Sequence, residues 1–289
     1  MFRTGHCSPS KEGKTISCLE YDFLKKIAEK LNEYDYGITT SSSQSKGELH
    51  AEISRKIKAN TNCESETCWK SIDIISSQLN EEEKEVFEKS FRPDKPEKWN
   101  DKPNTWLSTI DINRVMEQYE SAYPEFQYLG ANPIDFDKKI SKDSCVSDEL
   151  CNINIKDVRK DGTDFLGMVF NTDTHKNSGE HWFSLYIDLK GVNIKKQPCI
   201  YYFDSLALKP KEEVVKFVKR IQEQCCEIKA DIKFLYNDIK HQHKNTECGV
   251  YCLHFLVSML KGGEFKKYIT DKRNDDEMSE FRKVFYVSQ

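Results

Sequence analysis

The sequence lacks any apolar run of membrane-spanning length, and its first residues do not have the shape of a signal peptide. It also lacks a charge excess, because 44 lysines and arginines face 48 aspartates and glutamates and the net charge is −4. A chain without a basic field is not drawn electrostatically to nucleic acid. We therefore expect a protein of the cytosolic type whose partners include neither a membrane nor nucleic acid.

Internal repeats are also missing, so repeat architectures are not indicated. The chain has 289 residues and a hydrophobic fraction of 37%, enough for one large domain accompanied by a smaller one. It carries 11 cysteines, and an odd count without a secretion signal predicts reduced thiols. Cysteine usage therefore favours a reducing compartment.

Two cysteine pairs, Cys63 with Cys68 and Cys145 with Cys151, could each supply half of the ligands of a zinc site. Their spacings differ from the usual short forms, and no paired histidines accompany them. We therefore expect no metal and no cofactor, and interpret most of these cysteines as packing residues.

Residues 1–95 are expected to form a small helical domain. Apolar residues recur at helical spacing, as in the stripe from Leu19 to Leu31 and again from Leu49 to Ile57. Further helical patterns cover Trp69 to Leu79 and Glu81 to Phe91. A proline-rich stretch from residue 92 to 104 then interrupts the pattern. We place the domain boundary there, with residues 96–289 as the second domain.

The second domain shows strand patterns and amphipathic helices. Residues 123–164 are expected to be irregular, with short strand or loop pieces. After them we predict strands over Phe165–Phe170, His181–Leu189, Cys199–Asp204 and Ile232–Tyr236, and helices over Lys211–Cys226 and Ser279–Tyr286. Strands followed by a core helix and flanked by outer helices define an α+β layout.

The most informative stretch is a polar loop that ends at Cys248, followed by the continuously apolar run from Val250 to Val257. Such a run predicts a buried helix. Cys248 then lies at the helix N-terminus, which favours the thiolate form, and Gly249 leaves the neighbouring backbone open to a substrate carbonyl. The alternative is a core cysteine, since free cysteine is among the most buried residue types.

A thiolate nucleophile needs a base and a group that fixes the base. His181, at the start of a predicted strand, is a rigidly held candidate for the base. Asp204, at the end of the next strand, is a candidate for the orienting group, although an aspartate there is usually a turn former. His241 and His243 lie in the loop before Cys248, which is expected to hold geometry poorly.

The other two histidines that matter have ordinary interpretations. His175 lies in a polar loop, and His254 lies inside the apolar helix, where a satisfied core histidine is expected. Gln242 comes six residues before Cys248. Its amide and the Cys248 backbone N–H are candidates to bind an oxyanion, whereas a solvated side chain is the usual state of a loop glutamine.

These motifs together resemble the superfamily of adenovirus protease and the SUMO-processing proteases. The resemblance rests on His181-Trp182, Asp204-Ser205 and Gln242 with Cys248-Gly249, helped by the segment from Trp106 to Asn113. Within it, the chain is similar to the polyprotein-processing protease of African swine fever virus. That likeness includes the stretches Phe170–Asp173, Gly179–Trp182, Cys63–Cys68 and Ile269–Asp271. It is strong from about residue 165 onward and loose before that position.

The resemblance implies a papain-like or adenain-like core, with a central mixed sheet and a buried nucleophile helix, beside an N-terminal helical arm. It implies catalytic roles for His181, Asp204, Gln242 and Cys248. The related viral enzyme is thought to use asparagine as the third member, so Asp204 departs from it and agrees with the SUMO proteases.

The resemblance also implies cleavage after a Gly-Gly pair. In the family, two tryptophans form a narrow tunnel over the two residues before the scissile bond, and Trp106 and Trp182 match those positions. Glycine, which has no Cβ, is the residue that passes such a tunnel. Without the neighbouring motifs, both tryptophans would be interpreted as core packing.

Three functions remain open at this point. The first is a viral endopeptidase that cleaves structural polyproteins after Gly-Gly during virion maturation, in the host cytoplasm and the virion. The second is an isopeptidase that acts on SUMO, ubiquitin or a relative. The third is an inactive module that binds Gly-Gly tails. The sequence disfavours the third, because competent residues occupy all four chemical positions.

Overall fold

The structure is a computed structural model that describes residues 5–11, 13 and 16–287. The chain divides into two compact units, one from Met1 to Lys95 together with Lys283 to Gln289, and one from Pro96 to Arg282. The sequence analysis assigned residues 283–289 to the second domain, and here they group with the first. The reason is visible at Val287, which pairs through its backbone with Pro93 and Lys95.

The first unit is helical within its described residues. Its α-helices are α1 (Tyr21–Asn32), α2 (Lys46–Asn60), α3 (Asp73–Ser76) and α4 (Glu81–Ser90), and short 3₁₀ turns cover Pro9–Lys11 and Glu66–Ser71. Capping boxes start two of these helices. Ser45 and Glu48 exchange side-chain and backbone hydrogen bonds at α2, and Asn80 and Glu83 do the same at α4. Local sequence therefore fixes where these helices begin.

The helical stripes of the first unit meet in one hydrophobic core. Every third or fourth residue of α1 and α2 is fully buried, as the sequence pattern predicts for amphipathic helices. This core contains Leu24, Ile27 and Leu31 of α1, Leu49, Ile53 and Ile57 of α2, and Trp69 and Phe87. Packing of these stripes supplies the stability that such short helices lack in isolation.

The expectation of reduced thiols is wrong for six cysteines. Among the described residues, disulfides join Cys7 to Cys18, Cys63 to Cys68, and Cys145 to Cys151. The last two pairs are the ones considered above as half-sites for zinc. The number of cysteines in the sequence does not show which of them form disulfides, because pairing depends on which cysteines the fold brings together. Five cysteines, including Cys248, are free.

The second unit contains one mixed sheet of five strands among its described residues. The strands are β1 (Phe126–Asn132), β2 (Phe165–Asn171), β3 (Trp182–Asp188), β4 (Cys199–Phe203) and β5 (Lys233–Tyr236). They lie in sequence order, with β3 antiparallel to both β2 and β4, and with the two edge strands parallel to their neighbours. Strand β1 falls in the stretch predicted to be irregular, and the other four lie where strands were predicted. The α+β fold class is confirmed.

Helices follow and separate the strands of this unit. They are α5 (Thr109–Ala122), α6 (Asp148–Cys151), α7 (Ile155–Lys160), α8 (Glu212–Glu227), α9 (Cys248–Leu260), α10 (Phe265–Thr270) and α11 (Asp275–Phe285), and a 3₁₀ turn covers Glu97–Trp99. A capping box of Ser108 and Asp111 starts α5. None of the described helices is both long and apolar enough to cross a membrane.

The three central strands of the sheet are buried on both faces, because β2, β3 and β4 have no exposed residue. One face joins a cluster with Phe217 and Ile221 of α8. The other face packs on α9, where Phe203 stacks on Phe255 at a ring-centroid distance of 5.0 Å. An apolar helix is stable here because nearly all of its surface is covered, as the continuous hydrophobic run predicts. This packing sets the N-terminus of α9 beside the ends of β3 and β4.

Candidate active site

Cys248 is the first residue of α9 and is buried. The polar loop before it ends at Glu247, which is the N-cap of α9, so the loop meets the helix where the sequence predicted. The residue after it must be small, because a Cβ on Gly249 would come within 3.0 Å of the Leu107 side chain. Glycine therefore allows the Leu107 segment to pack against the first turn of α9, directly beside the sulfur.

His181 immediately precedes β3, and Asp204 immediately follows β4. Because β3 and β4 are antiparallel neighbours, these two positions meet at one end of the sheet. The His181 Nε2 and Asp204 Oδ1 atoms lie 2.9 Å apart, within hydrogen-bond distance. The Cys248 side chain is a second hydrogen-bond partner of His181. The structure thus brings the predicted base, its orienting group and the predicted nucleophile together.

The charged form of His181 is stabilised in this place. Burial disfavours the imidazolium, but hydrogen bonds to Asp204 and to Cys248, with their negative charges, outweigh it and raise the pKa of His181 to about 9. An imidazolium beside a sulfur is the state expected of a cysteine–histidine nucleophilic pair.

Asp204 is itself held from several directions. Its Oδ1 accepts a second hydrogen bond from the Leu206 backbone N–H at 2.7 Å. Its backbone is fastened to Asn237, which accepts from the Asp204 N–H at 2.9 Å and donates to the Asp204 carbonyl at 2.7 Å. The hydroxyl of Tyr202 lies 3.4 Å from Oδ2. A carboxylate fixed in this way can orient an imidazole instead of forming a turn alone.

Gln242 is buried, and it does not have the solvated state usual for a loop glutamine. Its Oε1 accepts from the Ser205 hydroxyl at 2.6 Å, and one N–H of its amide donates to the Lys244 carbonyl at 2.7 Å. The amide has a second N–H. The loop is further fixed because the Ser205 carbonyl accepts the backbone N–H groups of His241 and Gln242. Gln242 is therefore a rigid donor near the start of α9.

A buried ion pair braces the residue that precedes Cys248. Arg282 Nε lies 2.9 Å from Glu247 Oε2, and both side chains are almost fully buried. The same guanidinium donates to the carbonyls of Thr105 and Thr246 at 2.9 Å. It also stacks over the Trp99 ring at 4.6 Å. The three guanidinium nitrogens of Arg282 and both carboxylate oxygens of Glu247 have hydrogen-bond partners, which is the condition under which a buried pair holds a fixed geometry.

Both tryptophans that were predicted to form the tunnel donate a hydrogen bond from the indole N–H to a backbone carbonyl. Trp182 is buried and its Nε1–H donates to the Leu107 carbonyl at 3.0 Å. Trp106 is 43% exposed and donates to the Asn245 carbonyl at 2.5 Å. Core packing therefore explains Trp182 in part, but it does not explain Trp106.

The remaining histidines are engaged elsewhere. His241 Nε2 donates to the Ile269 carbonyl at 3.0 Å, and His175 pairs with Asp135. His254 lies 2.8 Å from the Tyr268 hydroxyl, and burial lowers its pKa to about 3. His243 is exposed. Among these residues, His181 is the one that has both a carboxylate partner and Cys248 beside it.

The roles of Asn237 and of the Arg282–Glu247 pair were not predicted from the sequence, nor was the contact of Ser205 with Gln242. Asn237 directly follows β5, so its position at a strand end was a usable signal. Glu247, an acidic residue next to a predicted core helix, was a second signal, because a buried carboxylate requires a partner. The identity of that partner was not readable, since Arg282 lies 35 residues further on.

A cysteine at a helix N-terminus, facing a histidine that a carboxylate orients, is the arrangement of a cysteine peptidase. The pattern of the Ulp1 protease family, C-terminal catalytic domain, matches residues 135–289, more than half of the chain. The chain belongs to the Ulp1 protease family and is a cysteine-type peptidase, a hydrolase. The enzyme class and the family resemblance predicted from the sequence are confirmed.

Viral proteins are among the relatives. A protein of Acanthamoeba polyphaga mimivirus, named as a thiol protease, is 28% identical over 78% of this chain and 69% of its own length. A protein of African swine fever virus, named SUMO-1 cysteine protease, is 26% identical over 90% of this chain and 96% of its own length. A crystal structure of a protease from African swine fever virus covers 100% of this chain and 98% of that chain, with a TM-score of 0.68 and 21% identity. The last likeness concerns the fold.

Proposed function

We propose that this peptidase is an endopeptidase that cleaves polypeptides after a Gly-Gly pair, with viral structural polyproteins as its natural substrates. The observation that carries the proposal is the His181–Asp204 hydrogen bond beside Cys248 at the start of α9. Geometry of this kind supports attack by sulfur on a peptide carbonyl.

In this mechanism His181 holds the proton that came from the Cys248 thiol while the sulfur attacks the carbonyl carbon of the second glycine. Collapse of the tetrahedral intermediate breaks the C–N bond, and His181 returns the proton to the leaving amine. The thioester that remains is hydrolysed by water, which regenerates the thiol. Asp204 keeps the imidazole in one orientation throughout.

The developing oxyanion requires donors that are already in place. Gln242 is suited to this role, because Ser205 and Lys244 hold its amide and leave one N–H for the substrate oxygen. The backbone N–H of Cys248, at the helix N-terminus, is the second donor. Preorganised donors of this kind stabilise the transition state more than the ground state.

Selectivity for glycine is supported by the anchored indoles. Trp182 is bound to Leu107, and Trp106 is bound to Asn245, three residues before the nucleophile. Side chains in the substrate would meet these rings, whereas Gly-Gly has no Cβ. Beside Trp106 lies a groove of about 610 Å³, lined by Lys98, Lys102, Pro103, Asn104, Thr105, Trp106 and Thr246. Its size suits several residues of an extended peptide.

An isopeptidase that acts on a ubiquitin-like protein is the second candidate. The name of the African swine fever virus relative described above, SUMO-1 cysteine protease, favours it. Ubiquitin-like proteins also present a Gly-Gly carboxyl end to such enzymes, so the same site chemistry serves both substrates. The difference lies in what precedes the two glycines.

The test compares fluorogenic Gly-Gly-X peptides with a ubiquitin-like protein that carries a carboxyl-terminal vinyl sulfone. We expect cleavage of Gly-Gly-X and little labelling by the protein probe. A Gly-Ala-X peptide should be cleaved about 10- to 200-fold more slowly, the range for one added methyl-sized group in a fitted site.

Each outcome has a distinct meaning. Efficient labelling with slow peptide cleavage would favour the isopeptidase. Equal cleavage of Gly-Gly-X and Gly-Ala-X would contradict the proposal that Trp106 and Trp182 select for glycine. Binding of Gly-Gly tails without any cleavage or labelling would contradict both proposals, leaving a module that only binds. Cys248→Ala serves as the control that must abolish cleavage and labelling in every case.

A further inference from the structure

A second cluster of sulfur, imidazole and carboxylate groups lies in the first unit, apart from any residue discussed for catalysis. It consists of His6, Cys7, Cys18 and Glu66, and its potential ligand atoms lie within 4.8 Å of one another. Three separate chain segments contribute to it. A cluster that joins such distant segments is a fold-level feature, because local sequence does not assemble it.

Glu66 forms the buried end of this cluster. Its side chain is 2% exposed, and its Oε1 accepts the backbone N–H of Cys18 at 2.6 Å and lies 3.4 Å from His6 Nε2. Its Oε2 lies 3.0 Å from His50 Nε2, yet neither atom makes a well-formed hydrogen bond among the described residues. Buried polar atoms left in this state call for a further partner.

The two histidines are held in place by aromatic rings. His6 stacks on Phe91 at a ring-centroid distance of 6.1 Å, and His50 packs on Trp69 at 5.4 Å. The backbone carbonyl of His6 also accepts the Arg92 N–H at 2.8 Å. Both imidazoles therefore point at Glu66 because of packing, and not through the carboxylate alone.

We propose that, when the Cys7–Cys18 disulfide is reduced, His6, Cys7, Cys18 and Glu66 bind one zinc ion. Two thiolates, an imidazole and a carboxylate are accepted zinc ligands, and thiolates exclude calcium and magnesium as the preferred ions. His50 acts as a positioning residue, because its Nε2 lies 3.0 Å from the second oxygen of Glu66 and limits how the carboxylate can turn. From the sequence no metal was expected, because the cysteine pairs considered there were Cys63/Cys68 and Cys145/Cys151.

The sulfur atoms cannot serve a disulfide and a metal at once. They are bonded at 2.04 Å in this structure, which is the oxidised form. A dithiol reductant supplies two electrons and two protons to give two thiols, and is itself oxidised to a disulfide. Zinc then displaces those two protons as it binds the thiolates. The peptidase chemistry at Cys248 needs a thiol, and conditions that keep it reduced favour the same change at Cys7 and Cys18.

The experiment measures zinc per chain by elemental analysis after reduction without oxygen, addition of a zinc salt and removal of the excess. A Cys248→Ser background removes the active-site thiol as a competing ligand. We expect one zinc ion per chain in the reduced protein and none in the oxidised protein. Cobalt added in place of zinc should give the absorption of a tetrahedral thiolate complex.

Variants separate this site from other thiols. Cys7→Ser should lose the zinc, whereas the matched double variant Cys63→Ser, Cys68→Ser should keep it. Because the His6 side chain is 46% exposed, His6→Asn should fold normally and still lose zinc and the cobalt spectrum. His50→Gln should weaken zinc binding about 10- to 100-fold, as loss of an outer partner does. Absence of zinc from the reduced protein, or equal zinc in His6→Asn, would overturn the proposal.

Discussion

Each unit of the molecule buries a carboxylate against imidazole and sulfur, but the two clusters are built for different chemistry. In the second unit, Asp204 is hydrogen-bonded to His181 near Cys248, a free cysteine at a helix N-terminus. In the first unit, Glu66 faces His6 beside two cysteines that are bonded to each other. The comparison teaches that residue types alone do not make a nucleophile. A single unpaired sulfur, placed at a helix start, is required as well.

The largest expected effect comes from the sulfur of the second unit. Cys248→Ala should lower cleavage of a Gly-Gly-X peptide by about 10⁴-fold or more, because the covalent step is lost. The matched change in the first unit, Cys63→Ser with Cys68→Ser, should leave peptide turnover unchanged. Peptide kinetics and thermal melts of both variants provide the measurement. Near wild-type cleavage by Cys248→Ala would show that Cys248 is not the nucleophile.

Gln242→Ala should have the next largest effect. Loss of one oxyanion donor costs about 3–4 kcal/mol, so kcat should fall about 100- to 1000-fold with little change in KM. Steady-state kinetics on the same peptide measure both constants. A change confined to KM would show that Gln242 binds the substrate uniformly and does not act in the transition state. Lys244→Ala, which keeps the backbone carbonyl that Gln242 contacts, is the control.

The pH profile tests the partnership of His181 with Asp204. Because the folded-state pKa of His181 is raised to about 9, its charge stabilises the fold fully below about pH 6.5 and ceases to do so as the pH rises through 9. We expect kcat/KM and thermal stability to fall together above pH 9. In Asp204→Asn the alkaline fall should begin at a lower pH, with a smaller loss of rate at neutral pH than in His181→Ala. An unchanged alkaline limb would show that Asp204 only shapes the turn.

The smallest effect on peptide cleavage is expected from removal of the first unit. We propose that residues 1–95 act in substrate docking, so a truncated chain of residues 96–282 should cut a short Gly-Gly-X peptide at a near-normal rate. It should fail on a full-length polyprotein. The truncation ends at Arg282 because later residues pair with the first unit. Aggregation, or a parallel loss on both substrates, would indicate a stabilising cap instead.

Much of the second unit was readable from sequence because its signals are local. The apolar run after Cys248 and the strand ends at His181 and Asp204 predicted which elements would carry these side chains. Their hydrogen bond agrees with that prediction, while the catalytic roles stay predictions until tested. Strand β1 was missed because it is an edge strand that contains Gly130, and its register shifts between Tyr128 and Ala131.

The sequence said least about contacts between distant segments. The disulfides were missed because a cysteine count does not specify which thiols the fold will bring together. The Arg282–Glu247 pair was missed for the same reason, since no periodicity links the two residues. Local patterns therefore predicted the helices and strands and where they end. The buried polar contacts between distant residues became visible only in the structure.

The brace at Arg282 has a consequence for the order of events during synthesis. Ribosomes make Thr105, Thr246 and Glu247 before Arg282, which follows Thr105 by 177 residues. Until that arginine emerges, the Glu247 carboxylate has no counter-ion with which to be buried, and burial of an unpaired charge is strongly unfavourable. The loop in front of Cys248 is thus fastened late. The contacts of Arg282 in front of Cys248 therefore form only after nearly all of the second unit, residues 96–282, has been translated.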